Sequence, residues 1–181
     1  MASLSIITGT PGAGKTSLAK RLAADAERGV HIPGDLFFTF IPRLIEPTDP
    51  ESHAQNTSVV LAMTRAATAF VVGGYDVYLD AVVGPWFLPL VAAELRELEV
   101  SIVYVILRLP FQEALRRAKE RDQNFDEEIV RKLHPQFEGV GPYEKHVIDI
   151  TGLAPYEVLE RFHERRYRCV LDVEELADAM E

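Results

Sequence analysis

Eight consecutive residues, Gly9-Thr10-Pro11-Gly12-Ala13-Gly14-Lys15-Thr16, have the types and spacing that hold a polyphosphate. The pattern G-x-x-x-x-G-K-[ST] needs two glycines, a lysine and a hydroxyl at fixed intervals. Chance supplies it in about one in 100 chains of this length, or fewer. Glycines let the backbone turn so that successive amide N–H groups point inward at phosphate oxygens. The helix that follows adds the partial positive charge of its first turn. In such a loop the lysine reaches the β- and γ-phosphates and the hydroxyl binds Mg²⁺. Gly9 to Thr16 is therefore read as a nucleoside triphosphate site, with Lys15 on the phosphates and Thr16 on the metal. The bland alternative is a glycine-rich strand–helix turn that binds nothing. An apolar strand before it and an amphipathic helix after it argue for the phosphate loop.

What the nucleotide is used for depends on the carboxylates and cations elsewhere. A guanine-dependent switch needs an Asn-Lys-x-Asp element, and no such string occurs. A motor ATPase places an acidic residue after its second aspartate to activate water, and here that residue is Ala81. A phosphotransferase needs a metal-supporting carboxylate, an acceptor-side carboxylate and cations over the transferring group. Asp80 closes the apolar run Val77-Tyr78-Leu79, which points it into the crevice at a strand's carboxyl end. It can hold Mg²⁺ or touch the acceptor, or merely cap the next turn. Asp35 follows Pro33-Gly34, a turn that presents it to the same crevice as a base or orienting group for a hydroxyl. It also suits the N-cap of a helix beginning at Leu36. Seven of the nineteen lysines and arginines fall between Arg108 and Lys132. Arg117 and Arg121, four apart on a helix whose buried stripe is Phe111, Ala114, Leu115 and Ala118, can stack on a base and neutralise phosphate. The competing use is a solvated face with ion pairs such as Glu113 to Arg117.

Other chemistry finds little support. The five histidines lack the spacing of a metal site, and no Gly-x-Ser-x-Gly motif is present. Trp86 and Phe87 read chiefly as loop packing, and Phe37, Phe38 and Phe40 as core or as the wall of an acceptor pocket. A formal charge of −9 argues against broad nucleic-acid binding. The single cysteine, Cys169, reads as a small buried hydrophobe in a reducing, cytoplasmic setting. The apolar stretch from Leu79 to Ala93 is broken by Asp80, Gly84, Pro85 and Pro89, so no membrane span is expected. The first strand begins almost at Met1, which leaves no room for a leader.

These residues need elements to place them. The 181 residues, 48% hydrophobic and 26% charged, suit one soluble domain spanning 1–181. Periodicity predicts strands over Leu4–Thr8, Val30–Ile32, Val77–Leu79, Ile102–Leu107 and His146–Ile150. Helices are predicted over Lys15–Arg28 (stopped by Gly29), Glu51–Val72, Leu88–Leu98, Phe111–Arg121 and Pro155–Arg166, with a terminal helix between Arg168 and Glu181. Strands alternating with helices predict a parallel sheet covered on both faces, a three-layer α/β/α fold.

With these motifs in hand, the chain resembles the small P-loop kinases. That group includes gluconate kinase, shikimate kinase and chloramphenicol phosphotransferase, with their "AAA domain" relatives. The resemblance covers roughly Ser3 to Phe162, and the P-loop is its most specific part. His31 to Asp35 is similar to the stretch that brings Gly-Asp to the acceptor in gluconate-type kinases. Leu115 to Arg121 is similar to the helix leading into their lid, and Asp149-Ile150-Thr151-Gly152 to the loop beside the adenine. The resemblance implies a five-stranded parallel sheet ordered 2-3-1-4-5, ATP with Mg²⁺, and a mobile lid over about residues 116–135. It puts the acceptor role on Asp35, the lid role on Arg117 and Arg121, and nucleotide contacts on Thr151 and Gly152. Two departures stand out. Shikimate kinases carry Asp-x-Asp after the second strand, where this chain has only Asp35, and Pro42 to His53 matches no known acceptor pocket.

The expected function is an ATP-dependent phosphotransferase acting on the hydroxyl of a small molecule such as a sugar acid, a metabolite or an antibiotic. A nucleoside or nucleotide kinase and a non-catalytic ATP-binding regulator are the alternatives. The expected partners are a small-molecule acceptor and at most a second copy of the chain.

Overall fold

The computed structural model describes residues 2–98, 100–123 and 125–178. Five strands, β1 (Ser3–Thr8), β2 (Gly29–Pro33), β3 (Asp76–Asp80), β4 (Ser101–Arg108) and β5 (Val147–Asp149), form one sheet ordered β2-β3-β1-β4-β5. All four neighbouring pairs are parallel. The strand order and the flanking helices are those expected of a P-loop nucleotide-binding fold.

Parallel strands need crossovers, and the helices supply them. They are α1 (Lys15–Asp25), α2 (His53–Val72), α3 (Leu88–Leu95), α4 (Phe111–Arg121), α5 (Glu127–Leu133), α6 (Pro135–Glu138), α7 (Pro155–Arg165) and α8 (Val173–Asp178). Strand β4 shows why its sequence is apolar throughout. Ile102, Tyr104 and Ile106 pack with Met63 and Val91 from α2 and α3, while Val103, Val105 and Leu107 pack with Leu18, Ala114 and Phe162 from α1, α4 and α7. A strand covered on both faces has no polar side to alternate with.

Several boundaries differ from expectation. Helix α1 stops at Asp25 rather than Arg28, and Gly29 opens β2 instead of capping the helix. A 3-10 turn, Pro50–Ser52, precedes α2, and α3 ends at Leu95 rather than Leu98. Asp35 is not an N-cap: it lies in the first turn of a 3-10 segment, Gly34–Phe40, capped by Pro33. The charged stretch after Arg121 is helical again in α5, whose Val130 is fully buried. Ahead of α8, Val170 pairs antiparallel with Val103, while Tyr104 N donates to Cys169 O and Leu171 N to Ile102 O. That segment covers the part of β4 that β5 is too short to reach, with Cys169 buried as expected. Among the described residues no helix is long and apolar enough to cross a membrane.

Candidate active site

Strand β1 delivers the chain to the loop at Thr8, which is fully buried and accepts a hydrogen bond from Val83 N at 3.0 Å. Two contacts explain how the loop is held open and what docks on it. Gly12 has φ +84°, and a Cβ there would fall 2.2 Å from the carbonyl oxygen of Ala114. The missing side chain lets α4 pack directly on the loop, which brings its arginines over the site. Helix α1 begins after Gly14 with no side-chain cap and no acidic residue in its first turn. Its leading N–H groups are thus left for an anion. Lys15 is buried, and its Nζ donates to the carbonyls of Gly9 at 3.0 Å and Thr10 at 3.3 Å. Burial pushes its pKa below the ordinary lysine value. Asp35 and Asp80 oppose that shift and Arg121 adds to it, so all three charges bear on the ammonium. A bound polyphosphate would favour the charged form.

Asp80 ends β3 almost completely buried. Thr16 Oγ1 donates to its Oδ2 at 2.5 Å, and His31 Nε2 bonds its Oδ1. The structure brings together Thr16 and Asp80, the two residues read as metal-supporting, and adds His31, which sequence reasoning passed over. In the β2–β3 register His31 faces Tyr78 and Pro33 faces Asp80. His31 and Asp80 thus lie two positions apart on one face of the sheet. That parity is readable in the sequence only once β2 and β3 are known to be neighbours.

Asp35 is exposed and lines a cleft of about 1390 Å³ that also contains the whole loop from Pro11 to Thr16. Its place depends on Gly34, where a Cβ would sit 2.6 Å from Ala81 Cβ and 2.9 Å from Met63 Sδ. The 3-10 segment can approach β3 and α2 this closely only without a side chain.

Arg117 and Arg121 both line the cleft. Arg117 Nε also donates to Glu113 Oε1 at 2.7 Å, so the ion pair weighed as the alternative use is present as well. Hydrogen bonds from Arg116 and then Arg117 hold the Glu113 carboxyl down to about 2. Beyond β5 the cleft lining includes Ile150, Leu153 and Pro155. Thr151 and Gly152 are exposed at the turn between them, where Thr151 N donates to Asp149 Oδ1 at 2.9 Å.

The far half of the cleft is aromatic and acidic. Phe87 is buried and stacks on His53 with ring centroids 6.4 Å apart, whereas Trp86 is half exposed and lines the cleft. Phe38 lines it too, Phe37 packs against the core, and Phe40 is exposed. Lys132, beside α5's end, donates to Asp49 Oδ1 at 3.1 Å and Thr48 Oγ1 at 3.4 Å. This bridge ties the segment after α4 to the loop before α2 across the mouth.

The family model described as an AAA domain matches residues 6–131. Comparison with curated proteins gives no match. Among solved structures, a gluconokinase from Sinorhizobium meliloti 1021 is 12% identical with a TM-score of 0.61, covering 99% of this chain and 95% of that one. A shikimate kinase from Acinetobacter baumannii, in complex with shikimate, is 18% identical with a TM-score of 0.61, covering 91% and 92%. A chain of a Pnkp1/Rnl/Hen1 RNA repair complex is 18% identical with a TM-score of 0.57, and this chain spans only 44% of its length. At such identities the likeness is one of fold.

Proposed function

Since the chain belongs to the AAA domain family, whose model spans most of it, we propose that it is an ATP-dependent phosphotransferase acting on a hydroxyl of a small molecule. The observation that carries this reading is one cleft holding the phosphate loop, the exposed carboxylate of Asp35 and the arginines of α4 together. The loop amides and Lys15 bind the triphosphate, and Arg117 and Arg121 lie against it from α4. Asp35 orients the acceptor hydroxyl and takes its proton as the oxygen bonds to the γ-phosphorus. The bond from that phosphorus to the β,γ-bridging oxygen breaks, and ADP leaves with the electron pair.

The donor set near the loop fits Mg²⁺, because Thr16 and Asp80 present hard oxygens side by side. Thr16 and Asp80 would hold the ion there, and it would supply charge neutralisation to the polyphosphate. His31 fixes the Asp80 carboxylate from behind. Ile150 and Leu153 offer an apolar bed for the base, with Thr151 and Gly152 at its rim. Residues about 116–135 act as a lid, and a single domain, 1–181, working in the cytoplasm completes the reading. No nucleic acid or membrane is invoked.

The test is a thermal-stabilisation screen of hydroxylated metabolites with an ATP analogue and Mg²⁺, followed by mass spectrometry after ATP is added. A ligand at 100 times its dissociation constant raises stability by about 2.7 kcal/mol. Phosphorylated product from at least one hit is expected. If nucleotide binds and shifts the oligomeric state, but no small molecule gains phosphate, the chain is a regulator. Transfer to an RNA end instead would make it a nucleic-acid kinase.

A further inference from the structure

We propose that the acceptor is uncharged or cationic and carries its hydroxyl close to an apolar ring, and that sugar acids and nucleoside monophosphates are poor acceptors; this rests on the phosphotransferase reading of the cleft. Charge is distributed unevenly along the wall of the cleft. Every lysine or arginine that lines the cleft belongs to the loop, α1 or α4: Lys15, Lys20, Arg21, Arg116, Arg117 and Arg121. On the phosphotransferase reading, Lys15, Arg117 and Arg121 serve the triphosphate. The other half is built from residues 35–63 and 81–87, and among its described residues no lysine or arginine lines the cleft. That half presents the carboxylates of Asp35, Glu46 and Asp49 instead. Lys132 of α5 is committed to Asp49 and Thr48. Arg43 does not line the cleft, and among the described residues the one basic side chain on this half of the wall is the imidazole of His53.

A carboxylate or phosphate on the acceptor would enter beside the like charges of Asp35 and Glu46, with no lysine or arginine among the described lining residues of that half to pair it. Both the desolvation and the repulsion oppose that. A neutral or cationic group meets no such penalty. The remaining surface suits a ring. Trp86 is half exposed, lies 6.1 Å from the Phe87 ring and 6.4 Å from that of Phe137, and lines the cleft together with Phe38. Such faces stack on apolar rings and attract cations. Asn56 adds a third feature. Its Nδ2 is spent on Pro47 O at 2.8 Å and Ser52 Oγ at 2.9 Å, and its Oδ1 is buried without a partner. The acceptors this wall presents are its carboxylates, which suit a ligand rich in donors.

Trp86 is the sole tryptophan of the chain, so its fluorescence reports this half of the cleft directly. The probes are 2-amino-1-phenylethanol, 1-phenylethane-1,2-diol and mandelate, which share a benzylic hydroxyl and differ in charge, with gluconate as a polyhydroxy acid. They are titrated into the full chain with a non-hydrolysable ATP analogue and Mg²⁺ present. The amine and the diol are expected to bind at least about tenfold more tightly than mandelate or gluconate. In Glu46→Lys the gap between amine and mandelate should narrow, because one carboxylate has become a cation. Equal or tighter binding of the acids, no binding by any probe, or a gap unchanged by Glu46→Lys overturns the proposal. Analogue binding is followed separately in the same samples by the melting temperature. Its loss sinks the phosphotransferase reading itself, whereas a reversed acceptor preference with analogue bound sinks only the acceptor class.

Discussion

Asp80 is a buried carboxylate whose two oxygens are held from two different elements, by Thr16 at the start of α1 and by His31 on β2. Groups that orient a metal-supporting carboxylate act on the metal through it, and losing one costs about 10- to 100-fold in metal affinity. His31→Ala is therefore expected to raise the Mg²⁺ needed for half-maximal nucleotide binding by about tenfold or more. A change of the same size should not appear in metal-free nucleotide binding. His31→Gln, which keeps a hydrogen-bonding group at that position, should recover part of the loss. Metal titrations followed by a fluorescent ATP analogue check this, and an unchanged Mg²⁺ requirement in His31→Ala would contradict it. At this scale the sequence was legible where chemistry is local. Lys15 and Thr16 sit in a motif, Asp80 ends a strand, and Asp35 follows one across Pro33-Gly34. His31 was not legible, because its role depends on which strand lies beside β2, and no local pattern contains that.

At the scale of elements, two close approaches position the site. Helix α4 rests on the loop at Gly12, and the 3-10 segment after β2 rests on β3 at Gly34. Gly34→Ala would drive a methyl group to 2.6 Å from Ala81 Cβ, so the segment must move away and take Asp35 with it. Overpacking of this kind costs about 1–3 kcal/mol of stability. A misplacement of about 1 Å at a reacting group can cost on the order of 100-fold in rate. The variant is expected to bind the ATP analogue normally while turnover falls by tenfold or more, which steady-state kinetics beside a nucleotide titration would resolve. Turnover equal to the parent would show that Asp35 tolerates displacement. The elements themselves were largely visible as periodic runs, and α4 was read to its true ends. Boundaries slipped where neighbours decide them: Gly29 was taken for a stop because its pairing with Asp76 is not a local property. Helix α5 was hidden in a charged run whose one fully buried residue, Val130, is too little signal for a period.

For the molecule as a whole, the parallel sheet sets all the strand carboxyl ends on one edge, and the cleft lies along it. The apolar runs announced a sheet buried on both faces, whereas the order 2-3-1-4-5 came from family resemblance and not from periodicity. The terminal segment shows the limit: Cys169–Leu171 completes the edge of β4, which nothing short of the assembled sheet could indicate. Burial also makes stability depend on pH through His146. Its Nδ1 bonds Tyr104 O at 3.0 Å, and burial lowers its pKa below the ordinary histidine value. The unfolded chain therefore takes up this proton at a higher pH than the folded one. His146 thus lowers stability as pH falls through about 6.5, levels off below its folded pKa, and contributes nothing above neutrality. The fall in melting temperature between pH 7.5 and 5.5 should be smaller in His146→Asn than in the parent, and an identical fall would contradict this. On the proposed reading the cleft is one machine, with a donor half at Gly9–Thr16 and an acceptor half at Asp35. That reading is tested most directly by single-turnover transfer from γ-labelled ATP to an acceptor from the screen, comparing the parent with Asp35→Asn. Transfer is expected to fall by about 100-fold or more while the affinity for ATP stays within a factor of about two. Transfer that survives Asp35→Asn at the parental rate would contradict it.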